Sequence, residues 1–129
     1  VNYSPATCAH FLAATGAGRL EGPGVARGAA GSPAAGTWVQ FELRIGRDAA
    51  GARTVREARF LAFGCPHTIA AADWLVGVAT GTPPAVTLPE PVHALQQRFG
   101  VPVEKLGRLL TVEDAWLAAM RAALAPAPE

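Results

Sequence analysis

A chain of 129 residues, half of them hydrophobic and 16% charged, is long enough to bury one core and too apolar to be a disordered segment. Eleven Lys and Arg against ten Asp and Glu leave a formal charge of +1, and the arginines are scattered, so neither nucleic acid nor a membrane surface is an expected partner. The longest apolar run, residues 69–80, is broken by Asp73 and falls short of the roughly 20 residues a membrane span needs.

Taken in chain order, Val1-Asn2-Tyr3-Ser4-Pro5 lacks the basic and apolar regions of a secretory signal. The two cysteines, Cys8 and Cys65, are too few for a disulfide framework, so a reducing, cytoplasmic setting is expected. Ser4 and Pro5 read as the cap and first position of a helix over residues 6–14, ended by Gly16 and Gly18. Residues 22–36, rich in Gly, Ala and Pro, read as a short extended edge segment and a glycine-rich turn. Residues 38–45 then place Val39, Phe41, Leu43 and Ile45 on one side and Gln40, Glu42 and Arg44 on the other, which is the pattern of a half-buried strand. A turn with Asp48 and Gly51 leads to a second strand over 54–63, closing an antiparallel hairpin that ends at Gly64-Cys65.

Ile69, Ala72, Leu75, Val76 and Ala79 recur at helical spacing within 68–80, with Gly81 and Pro83-Pro84 beyond. A short amphipathic helix is expected over 91–98, a further segment over 103–110, and a last helix opening at Thr111-Val112-Glu113-Asp114 as a capping box with Asp in place of Glu. The tail, 126–129, should fray. Strands before helices predict an α+β fold: one domain over 1–125, a small antiparallel sheet with helices packed mainly on one face.

Few residues are able to do chemistry. Cys8-Ala9-His10 and Cys65-Pro66-His67 are two Cys-x-His pairs, and four such ligands would suit tetrahedral zinc. On a helix, however, residues two apart point to nearly opposite sides, so Cys8 is expected as a small buried hydrophobe and His10 near a surface. Cys65, just ahead of a helix, is balanced between an inert buried thiol and one that backbone N–H groups favour as a thiolate. A Cys–His pair with His67 or His93 lacks an assignable oxyanion donor. No phosphate-binding glycine pattern is present.

Several short motifs occur together in one order: Tyr3-Ser4, His10-Phe11, Gly18, Gly31-Ser32-Pro33-Ala34-Ala35-Gly36-Thr37, Ala58-Arg59-Phe60 with Phe63-Gly64-Cys65 and Ile69-Ala70, Gly81, and Glu113-Asp114-Ala115. In this the chain resembles the IscU/NifU amino-terminal family of iron-sulfur cluster scaffolds, nearly end to end. The resemblance implies a non-enzymatic protein that assembles a [2Fe-2S] cluster or binds zinc through three cysteines and a carboxylate, and that meets a cysteine desulfurase. Matched residue by residue, the first cysteine and the carboxylate fall on Ala35 and Thr37. The second is Cys65, and the third, with the His before it, falls on Gly107 and Arg108. The chaperone-recognition segment keeps only Pro102 and Lys105.

Two thiol positions of three are therefore altered, and a guanidinium opposes a metal ion. At about 4 Å and an effective dielectric near 20 the repulsion is about 4 kcal/mol per metal charge. The expectation is a divergent member of the family, associated with iron-sulfur cluster assembly, with no stable cofactor and with Cys65, and less so His67, as surviving metal candidates. The alternatives are a metal-independent interaction module that reuses the fold, and a zinc or iron protein whose site a partner completes.

Overall fold

The computed structural model describes residues 3–125, so the tail expected to fray, 126–129, lies outside the described residues. Helix α1 spans Pro5–Ala13, capped by Ser4, whose hydroxyl accepts the Thr7 N–H. Ser4 and Thr7 both donate to the Phe99 carbonyl, at 2.9 and 2.7 Å, tying this cap to a helix far along the chain. No glycine terminates α1. Ala14 takes the left-handed conformation itself and donates to the His10 carbonyl, a conformation strained for any residue with a Cβ. Gly16 is needed for a different reason: a Cβ there would lie 2.1 Å from a Val76 methyl.

Strands β1 (Val25–Ser32), β2 (Thr37–Arg47) and β3 (Arg53–Phe63) form one antiparallel sheet in that order. Gly28 and Phe60 face Phe41 across the two ladders. Val39, Phe41 and Leu43 are fully buried, as their alternation predicts, and Ile45, beyond a register shift between Arg44 and Ile45, is only partly covered. The turn between β2 and β3 is built as expected: Asp48 Oδ1 accepts the N–H groups of Ala50 and Ala52, and Gly51 has φ 86°.

Helix α2 (Pro66–Ala79) is apolar almost all round and is buried on most of its surface, as expected of a helix inside the core. Helix α3 (Val92–Phe99) follows, then α4 (Leu106–Leu124) after a single tight turn over Val103–Lys105. The sequence suggested two segments here with a fresh start at Thr111, but α4 runs straight through it. Thr111 donates its hydroxyl to the Gly107 carbonyl one turn back at 3.0 Å, which satisfies the side chain without ending the helix.

Helix α4 lies on β1 and β2, α2 on β3, and α1 and α3 pack against α2. Phe41 and Trp116 meet edge to face at 5.1 Å between ring centres. At Gly28 the approach is closest: a Cβ there would stand 2.1 Å from the Ala119 backbone nitrogen.

The opposite face of the sheet departs from expectation. Glu42, placed by its alternation on the solvated side, is fully buried. The segment leaving α1 hydrogen-bonds along β3, through Phe60 N–H to Gly16 and Gly18 N–H to Phe60, and reaches Glu42 over the outer face. There the Leu20 N–H donates to Glu42 at 2.8 Å, Gln40 at 2.9 Å and Arg27 at 3.2 Å, with Arg19 at 3.4 Å. Burial alone would raise this carboxyl, yet the bonds from Leu20, Arg27 and Gln40 and the charge of Arg27 outweigh it and hold it below 4.5.

Candidate functional site

The site expected from the sequence lies at the end of the sheet where β1 turns into β2 and β3 runs out. Ser32 accepts the Ala35 N–H at 3.1 Å and so shapes the Pro33–Ala35 turn, closed by Gly36 at φ 87°. Pairing of Trp38 with both Gly31 and Phe63 sets this turn level with the end of β3, where Gly64 and Cys65 lead into α2.

Cys65 is the residue ahead of α2, partly exposed, and its side chain makes no capping bond. Its sulfur lies 3.8 Å from His67 Nδ1 and 3.7 Å from Thr68 Oγ1. His67 is 2% exposed and meets the Tyr3 ring edge to face at 4.8 Å. The Lys105 ammonium lies 6.0 Å from the centre of that same ring. Burial first, then the charges of Lys105 and Arg108, hold the His67 imidazole below its ordinary 6.5. The thiol therefore faces a neutral imidazole at neutral pH.

Beside this pair, Ala35, Thr37, Gly107 and Arg108 come together. With Gly31, Glu104 and Thr111 they line one cavity of about 260 Å3. These four residues share this cavity, while Cys65 and His67 lie outside its lining. The Arg108 Nε is buried and has no hydrogen-bond partner among the described residues. Pro102 caps the turn that leads into α4, and Lys105 ends it.

The remaining candidates do not join the site. His93 is exposed on α3. Cys8 is exposed rather than buried, because α1 turns Thr7, not Cys8, into the protein. Its neighbour His10 bonds through Nδ1 to Asp73 at 2.8 Å, and Asp73 also accepts the Gly16 N–H at 2.8 Å. The two Cys-x-His pairs thus have separate structural settings. Asp73 was visible in the sequence as the one charge in an apolar helix. Glu42 had no such signal, since its partners Arg27, Arg19 and Leu20 come from a segment the alternation pattern does not describe.

No three His, Cys, Asp or Glu side chains converge as a metal-ligand set among the described residues. Cys65 and His67 offer at most two donors, and the Arg108 guanidinium has no lone pair to give a metal. These residues do not fit a cluster or a four-coordinate zinc held by one chain.

The three-stranded antiparallel sheet with four helices defines an α+β fold of the IscU type. It matches, at a TM-score of 0.57 and 12% identity, a crystal structure from Fervidobacterium islandicum AW-1 described as an iron-sulfur cluster assembly scaffold protein for the SUF system, covering 92% of this chain and 96% of that one. In sequence, residues 2–121 match the NifU-like N terminal domain, and the chain belongs to that family, one of scaffold proteins for iron-sulfur cluster assembly rather than of catalytic enzymes. A relative from Rubrobacter xylanophilus, the bifunctional protein NifU/MnmA, is 39% identical over 80 residues. That stretch is 61% of this chain and 15% of the relative's length. No helix among the described residues is long and apolar enough to cross a membrane.

Proposed function

We propose that this protein is a cytoplasmic, divergent member of its family that works beside iron-sulfur cluster assembly without holding a stable [2Fe-2S] cluster on its own chain. One observation supports the reading: Ala35, Thr37 and Arg108, which the resemblance matches to the positions of thiolates and a carboxylate, line one cavity together with Glu104. Cys65 is the single thiol left at that end of the sheet, 3.8 Å from a neutral imidazole. The fold is intact around it, so a surface that meets a cysteine desulfurase can persist after the ligands have gone.

Anaerobic incubation with iron and sulfide, followed by desalting, tests the first half of this reading. No visible charge-transfer band should remain. A band at about one cluster per chain that disappears in Cys65→Ser would overturn it and imply ligands from a second copy. Capture of the cognate cysteine desulfurase by the tagged protein tests the second half. Failure of that capture, with the fold intact, would leave an interaction module unrelated to sulfur transfer.

A further inference from the structure

We infer that the free edge of β1 is a docking site for an extended, acidic segment of another protein, added to the sheet as a fourth strand. The ladder fixes which groups face that edge. Phe60 donates its N–H to Gly16 and accepts one from Gly18 on the side away from β2, and in an antiparallel sheet the N–H and C=O of one residue point the same way while those of its chain neighbours point the other. Phe41, opposite Phe60, therefore bonds to Gly28, its partner in β1. Val25, Arg27 and Ala29 alternate with Ala26 and Gly28, so their backbone groups point out of the sheet. Among the described residues nothing bonds to them.

The two edges of the sheet are thus treated differently. The edge of β3 is covered by the chain itself, at Phe60 by Gly16 and Gly18 and at Val55 by Gly81 and Thr82. The edge of β1 has neither a proline nor a bulge to discourage pairing, and its one charged residue, Arg27, is turned to Glu42 on the outer face. The fold also decides what can pair there. A second copy of this chain cannot: its β1 would lie about 4.8 Å away, whereas packed helices need about 8–10 Å between axes, and each α4 is seated on its own β1, a Cβ at Gly28 standing 2.1 Å from the Ala119 nitrogen. The occupant is a bare strand. Helix α4, about 10 Å across, overhangs the position, which suits small or apolar side chains on the inner side. On the outer side Arg19 and Arg27 are both exposed and share the single carboxylate of Glu42, with no other acidic partner among the described residues. One positive charge is left beside the edge. Acidic side chains at the outward positions of the added strand meet it, as opposite charges on neighbouring strands do, while the backbone bonds hold the segment in place.

The probe is a short acetylated and amidated peptide of alternating Glu and Val, titrated into 15N-labelled protein with hydrogen exchange read by NMR. No iron, sulfide or desulfurase is present, so the outcome is independent of the assembly role proposed above. In the free protein the Arg27 and Ala29 amides should exchange rapidly, and those of Gly28 and Ala30, which face β2, slowly. At a peptide concentration about ten times its Kd, exchange at Arg27 and Ala29 should slow about tenfold, with Gly28 and Ala30 unchanged. The matched peptide with Lys for Glu should bind about tenfold more weakly. Ala29→Pro, which removes an N–H the ladder does not use and places proline where an edge strand tolerates it, should abolish binding. Slow exchange at Arg27 and Ala29 without peptide, equal binding of the Lys peptide, shifts centred away from β1, or a dimer formed by the free protein through this edge would each overturn the proposal. If Ala29→Pro does not fold, the fully N-methylated peptide decides, and binding that survives methylation overturns the proposal as well.

Discussion

Two polar regions flank the same sheet and are handled in opposite ways. On the outer face, Glu42 is buried completely, and its two oxygens receive a backbone N–H, an amide and two arginines. At the sheet's end, Arg108 is buried in part and its Nε receives nothing from the protein, while Cys65 has only contacts of 3.7 and 3.8 Å. A carboxylate enclosed by its own chain contributes to stability. A guanidinium whose Nε is buried without a partner contributes little to it.

Substitution at Glu42 should have the largest effect on this contrast. Glu42→Ala leaves the Leu20 N–H without its acceptor and frees Arg19 and Arg27, so urea denaturation should show a loss of about 2–3 kcal/mol. In hydrogen exchange the Leu20 amide should be among the first to lose protection. A loss below that of an ordinary surface change would mean that the crossing segment is held by something other than this carboxylate.

Asp73→Asn comes next. It weakens a charged acceptor shared by His10 and Gly16 while keeping the shape, and should cost about 1–2 kcal/mol in thermal or urea unfolding. Smaller still is a pH effect at the sheet's end. The folded His67 holds its proton less tightly than the unfolded chain does, so its contribution is fully present above about 6.5 and is lost as pH falls through the lower folded value. Stability measured between pH 7.5 and 5 should therefore decline on the acid side, and His67→Gln should flatten the slope. Glu42 also titrates below its ordinary value, so its own loss belongs to more acidic solutions.

Arg108→Met should change stability least, within about 0.5 kcal/mol or slightly upward, because it removes a buried N–H that has no partner. A penalty as large as that of Glu42→Ala would erase the distinction between the two regions.

How much of this was legible beforehand depended on whether the controlling contacts were local. Ser4-Pro5, the alternation of Val39, Phe41 and Leu43, and the Asp48-Gly51 turn act within a few residues, and each is found where the sequence places it. Thr111 misled because a cap and a back-bonded mid-helix threonine share the same local signature, and only the carbonyl of Gly107 separates them. Cys8 and Glu42 were misplaced because burial there is decided by which segment lies across them. At the site, the residues that the resemblance matched, Ala35, Thr37, Gly107 and Arg108, line one cavity. The resemblance could not show that Cys65 stands outside that lining, since this depends on how the turn after β3 is set against α4.

The close seating of Gly28 under Ala119 also bears on how the polypeptide matures on the ribosome. All three strands have been synthesised by Phe63, whereas the helix that covers β1 begins only at Leu106. For more than forty residues of translation, the nascent hairpins carry Val39, Phe41 and Leu43 with no α4 to shield them. In that interval β1, made of Val25-Ala26-Arg27-Gly28-Ala29-Ala30-Gly31-Ser32, has little side-chain bulk of its own to hold it in register. A holdase chaperone that shelters apolar strands should thus raise the yield of this protein during synthesis, and should matter less once α4 has been made.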